Sequence, residues 1–275
     1  MGEGRSRMRV AVAVTMGAMA LLPTPASPQF SGPASTELSW SPRGDLTALG
    51  AGLIGSIFLV SLDPQIRTWL HADRRQHSTA ISSLAAAVEP AGSTLPQVAS
   101  VGMMFLARIS GHEGLTEASR NVTGALGFAS GAAMTLKTIV GRARPKTAEG
   151  NPGAFFAEGP VVRSSGLHSF PSGHTTTAFA LATAVNQEIG EHWPGRPRVV
   201  GPALYGAAAL VGLSRIYDDH HWSSDVLMGA VLGTVISRSW VRVSHRRGSL
   251  GTRALEPILI RSLDQRTGIG LRWSF

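Results

Sequence analysis

The chain has 275 residues, 43% hydrophobic and 15% charged, and no cysteine, so it holds one large domain or two small ones and excludes a disulfide framework or a thiolate-ligated metal centre. Its net charge is +8, and only Lys137 and Lys146 among the cations are lysines. Apart from a mild cluster at Arg238, Arg242, Arg246, Arg247 and Arg253 the basic residues are dispersed, and with no zinc finger, aromatic RNA-binding pattern or basic helix repeat they point to no nucleic acid.

The first 26 residues read as a signal peptide. Arg5, Arg7 and Arg9 precede an apolar run of 13 residues, Val10 to Leu22, and small residues follow up to a cleavage point after Ala26. The alternative is an uncleaved N-terminal anchor. Residues 27–44 read as a linker and 45–248 as the main domain, and the expected location is the periplasm or cell envelope. Helices are expected near 46–62, 76–88, 97–110, 115–140, 174–189, 199–213 and 222–242. Loops are expected at 63–75, 89–96, 141–173 and 190–198. The fold class is therefore all-α: a single helical bundle of about six core helices.

Uncharged stretches run for 17 residues from Leu46 to Leu62, and for 16 each from Asn121 to Leu136 and Val199 to Ser214. A span of the hydrocarbon core takes about 20 apolar residues. The runs favour a compact helical domain bordering a membrane, with an integral inner-membrane protein as the alternative. The tail, 249–275, alternates apolar and polar residues on either side of Asp264 to Gly268, which reads as a short β-hairpin.

Three segments carry chemistry. In Lys137 to Pro145 (KTIVGRARP), Lys137 and Arg144 are seven residues apart, about two helical turns. Pro145 disfavours helix at Arg144, which places both cations at the mouth of a buried helix. In Pro171 to His174 (PSGH), Ser172 can cap a helix whose free N–H groups suit an anion, with His174 beside it. In Ser214 to Asp225 (SRIYDDHHWSSD), His221 has a carboxylate, Asp225, one turn on, which can fix its tautomer. Spacing alone does not rank His220 against His221. Each segment by itself fits ordinary solvated or capping residues; together they fit a pocket for a tetrahedral oxyanion. Phe155, Phe156 and His168 on the loop before PSGH, and Phe170 just ahead of it, are candidates to line the entrance.

In this order the three segments resemble the signature of the type 2 phosphatidic acid phosphatase (PAP2) superfamily, which includes bacterial class A acid phosphatases and vanadium haloperoxidases. The resemblance covers roughly residues 45–240. It implies that His221 attacks phosphorus and forms a phosphohistidine, that Asp225 orients it, and that His174 protonates the leaving oxygen and then activates water. It implies that Lys137, Arg144, Ser172, Gly173 and Arg215 hold the phosphoryl oxygens. No metal and no cofactor is expected; vanadate would occupy the phosphate site. The expected function is a metal-independent phosphatase acting on phosphate monoesters or pyrophosphates that are lipid-linked, at a membrane surface. A vanadium-dependent haloperoxidase and a non-catalytic envelope protein of the same fold are the competing readings.

Overall fold

The computed structural model describes residues 42–71, 78–155, 165–249, 256–261 and 267–272. The expected signal peptide (1–26), most of the expected linker, Phe156 and Arg253 lie outside the described residues. Eight α-helices are present among the described residues: α1 Pro42–Val60, α2 Asp63–Leu70, α3 Thr79–Val88, α4 Leu95–Ile109, α5 Glu113–Val140, α6 Gly173–His192, α7 Pro197–Tyr217 and α8 Ser223–Ser249. Short 3-10 turns at Glu89–Gly92 and Ser165–Leu167 join them. In the tail, β1 Glu256–Arg261 pairs antiparallel with β2 Thr267–Arg272, with Glu256 opposite Arg272 and Arg261 opposite Thr267.

Helix α6 is the central column. Thr175, Thr176, Ala178, Ala180, Ala182, Thr183 and Ala184 are all buried, so it has neighbours on several sides. Ala180 and Ala184 pack with Val122, Ala125, Leu126 and Ala129 of α5 and Val241 of α8. Ala178 and Ala182 pack with Ala208 and Val211 of α7. Small side chains let these helices approach closely, and two glycines of α8 complete the contact. A Cβ on Gly229 would stand 2.7 Å from the Ser172 carbonyl oxygen, and one on Gly233 2.3 Å from that of Thr176.

Two expectations need correction. The stretch 63–75, read as a loop, contains α2; an eight-residue helix carries too little periodic signal to be seen in sequence. The apolar runs also underestimate the helices. Counting stops at the first charge, yet α7 has 21 residues and α8 27. Among the described residues three segments, Arg43–Val60, Pro197–Tyr217 and Ser223–Arg246, are long and apolar enough to cross a membrane. Large apolar side chains point outward: Leu46, Ile54, Ile57 and Phe58 of α1, Val98, Phe105 and Ile109 of α4, and Val199 and Leu213 of α7 are all more than half exposed.

Candidate active site

The three sequence segments meet at one end of the bundle. Helix α5 delivers Lys137 in its last turn and stops at Gly141, whose φ of 55° is a left-handed cap that a Cβ would oppose. The helix therefore ends at Val140, four residues before Arg144, and Lys137 and Arg144 do not share a helical face as the spacing suggested. Arg144 lies in the extended segment that follows, held by its backbone N–H on the Gly166 carbonyl at 2.9 Å. The Lys137 ammonium donates to the His168 carbonyl at 2.8 Å. His168 thus contributes its backbone to the site. The Phe155 ring lies 4.8 Å from the guanidinium of Arg142, where it supports that side chain.

Ser172 is the N-cap of α6: its hydroxyl accepts from the Thr175 hydroxyl at 2.9 Å and from the Thr175 N–H at 3.5 Å. Its own N–H donates to the Asp225 carbonyl at 3.0 Å, which ties the PSGH loop to the first turn of α8. A Cβ on Gly173 would meet Lys137 Cε at 3.4 Å, so the start of α6 sits against the lysine. At the 3-10 turn ahead of α4, Gly92 lets the chain close on His174; a Cβ there would be 2.8 Å from His174 Cβ.

After α7 the chain turns sharply. The N–H groups of His220 and His221 both donate to the Arg215 carbonyl, at 3.0 and 3.2 Å, and Asp219 adopts a φ of 58°. Arg67 of α2 clamps that turn through two bonds to the Asp219 carboxylate, 2.6 and 2.7 Å. The turn separates the two histidines. His221 is buried with Nδ1 3.6 Å from Asp225 Oδ2, while no such carboxylate contact is made by His220. At that length the contact is an ion-pair distance and not a hydrogen bond. Asp225 Oδ2 already accepts from the Ser169 hydroxyl and from the Trp222 N–H.

Arg215 is buried and donates to Glu89 at 3.0 Å and to Asp218. The cationic side chains act on one another across a common space. Burial, offset in part by Asp225 and reinforced by Arg144, depresses the Lys137 ammonium to about 8. Burial and the Arg215 guanidinium depress His174 to about 4. Burial depresses His221 to about 3, with Asp225 opposing and Lys137 adding to the shift. Both histidines are thus neutral at pH 7, and His221 faces a carboxylate. The charge and geometry of such a site suit an anion, and the second imidazole nitrogen of His221 is chemically able to act as a nucleophile. Among the described residues no group of three or more His, Asp or Glu is arranged to hold a metal ion.

Several site residues escaped sequence reasoning: Asp63, Arg142, Ser169 and Ser224 beneath Asp225, and Glu89 and Asp218 on Arg215. Arg142 sits inside the first segment, two residues before Arg144, and its place there was the available signal. Asp63 and Glu89 come from elements with no motif around them.

A model of the PAP2 superfamily matches residues 120–249. Over 69 residues the chain is 45% identical to a lipid A 1-phosphatase of Porphyromonas gingivalis, covering 25% of this chain and 15% of that one. Over 82 residues it is 42% identical to lipid phosphate phosphatase 1 of Arabidopsis thaliana, covering 26% and 24%. The matched stretches span less than half the length of these curated relatives. Among solved structures, the transmembrane PAP2 type phosphatidylglycerolphosphate phosphatase from Bacillus subtilis aligns over 71% of this chain and 96% of its own, with a TM-score of 0.35 and 18% identity.

Proposed function

Given that residues 120–249 match a model of the PAP2 superfamily, we propose that the protein is an integral membrane phosphatase of that family that cleaves lipid-linked phosphate monoesters or pyrophosphates through a phosphohistidine. The observation that carries this reading is the convergence of Lys137, Arg144 and Arg215 on His174 and on a His221 whose Nδ1 faces Asp225.

The steps follow from this geometry. With the Nδ1 proton directed to Asp225, Nε2 of His221 carries the free lone pair. It forms the N–P bond as the P–O bond to the leaving group breaks, and His174 gives its proton to the departing oxygen. A bound phosphate dianion raises the proton affinity of His174 by placing negative charge beside it, so the acid is loaded as substrate arrives. Water then attacks phosphorus, its proton passes to His174, the N–P bond breaks, and His221 is regenerated. Lys137, Arg144 and Arg215, with the N-terminal N–H groups of α6 behind Ser172 and Gly173, spread the charge of the phosphoryl oxygens. These cations perform the neutralisation that a divalent ion performs in other phosphatases.

The lipid assignment is supported by the exposed apolar faces of α1, α4 and α7, which suit hydrocarbon better than water. It is also supported by the relatives, a lipid A 1-phosphatase and a lipid phosphate phosphatase. The test is phosphate release by the purified protein in detergent with EDTA present, comparing a short-chain phosphatidate and a prenyl pyrophosphate with AMP. We expect EDTA-resistant release, blocked by vanadate, with a higher kcat/KM for the amphiphiles. Loss on chelation restored by a divalent metal would overturn the metal-free mechanism. Equal turnover of AMP would overturn the lipid preference.

A further inference from the structure

Beneath Asp225 lies a charge network that the phosphoryl-transfer steps do not use. Arg142 is fully buried, and its guanidinium bridges two fully buried carboxylates: Nη2 donates to Asp63 at 2.8 Å and Nη1 to Asp225. Its remaining hydrogens are taken by the Ser224 hydroxyl at 2.7 Å and by the Pro152 carbonyl at 2.8 and 3.1 Å. Phe155 and Trp222 cover the guanidinium with ring centroids at 4.8 and 5.4 Å. Asp63, at the first position of α2, also accepts from the Ser223 and Ser224 hydroxyls and the Ser224 N–H. This network ties α2 to the start of α8.

Two carboxylates on one guanidinium leave one net negative charge in a site that water does not reach. Had Arg142 only Asp225 as partner, that pair would be neutral and would offer little to a cation. His221 is the neighbour that becomes cationic, when its Nε2 bonds phosphorus and Nδ1 keeps its proton. We propose that Asp63 is a positioning residue for the reaction: it draws half of the Arg142 charge away from Asp225, so that the buried trio stays singly negative toward the phosphorylated His221. The inference rests on the reading of His221 as nucleophile. It differs from a purely architectural role because it depends on the sum of charges and not on the contacts alone.

The experiment is steady-state kinetics of the full chain with a lipid phosphate, for D63N, D63N/R142Q and D63N/R142K, beside thermal melting of each. D63N brings the charge sum to zero. Its kcat is expected to fall about 10- to 100-fold, the range found for partners that orient metal-ligating histidines from behind, with KM changed less. D63N/R142Q returns the sum to minus one and is expected to regain part of kcat and to exceed D63N/R142K, where the sum is zero. A structural role predicts the reverse order, because lysine is the smaller disturbance. If D63N alone does not fold, the order of the two double variants still decides. Faster turnover by D63N/R142K, or failure of both double variants to fold, overturns the inference. In that case wild-type turnover and its loss in H221A leave the phosphatase reading standing. A wild type that releases phosphate from no ester overturns both.

Discussion

His221 and Asp225 face one another at 3.6 Å although only the second is in a helix: His221 ends the turn that follows α7, and Asp225 sits in the first turn of α8. The turn is fixed on one side by Arg67 on Asp219 and on the other by Trp222, whose N–H caps onto Asp225 and whose indole N–H reaches the Ala143 carbonyl at 2.9 Å. Only His221 makes the contact with Asp225, and His220 Nδ1 has no hydrogen-bond partner. His221→Ala is expected to lower kcat on the order of 10³-fold or more, as for other covalent nucleophiles, and His220→Ala far less. Phosphate release by the two variants checks this, and similar losses would contradict the assignment.

The anion pocket has its own pH dependence. Lys137 is depressed to about 8, so its charge is held below that pH and lost as pH rises through it. Vanadate affinity is expected to weaken as pH rises through about 8, with the change removed in Lys137→Arg, whose charge persists. Titrating vanadate inhibition between pH 6 and 10, roughly two units either side of that value, checks it.

Much of this site was legible in sequence, and the reason is local. Lys137, Ser172, His174, Arg215, His221 and Asp225 fall in three short segments whose internal spacing reflects caps and turns. Ser172 is the cap expected of a Ser before a helix, and its hydroxyl meets Thr175 as such caps do. The end of α5, expected at residue 140, is Val140, with Gly141 as its left-handed cap; the spacing of Lys137 and Arg144 suggested a shared helical face that this stop removes. Asp63 was illegible for a different reason. It lies 162 positions from Asp225 along the chain, and only the packing of α2 under α8 brings the two to one guanidinium.

Close packing of α8 on α6 sets the site's frame. A Cβ at Gly233 would lie 2.3 Å from the Thr176 carbonyl oxygen and 3.0 Å from the Ala180 nitrogen, both backbone and unable to yield. Gly233→Ala is expected to destabilise by about 1–3 kcal/mol, the cost of overpacking, and to lower activity by displacing Ser172 from Asp225. Gly206→Ala, with nothing within 4 Å, is the control. Thermal melting in detergent distinguishes them, and equal melting points would contradict the packing account.

The three long apolar helices and their exposed side chains predict retention in the membrane. After expression, the protein is expected to stay with membranes through washes in high salt and in alkaline carbonate, and to be released by detergent. Release by salt alone would point to surface attachment and against the spanning reading.

The central claim is that phosphorus bonds to His221. Rapid acid-free quenching of the wild-type protein mixed with a substrate labelled in its transferred phosphoryl group, followed by peptide mapping, tests it directly. Transient, alkali-stable label is expected on the peptide that contains His221, absent from His221→Ala and slower both to form and to decay when His174 is replaced. Label on another residue, or turnover with water attacking in a single step and no label on the enzyme, would contradict it.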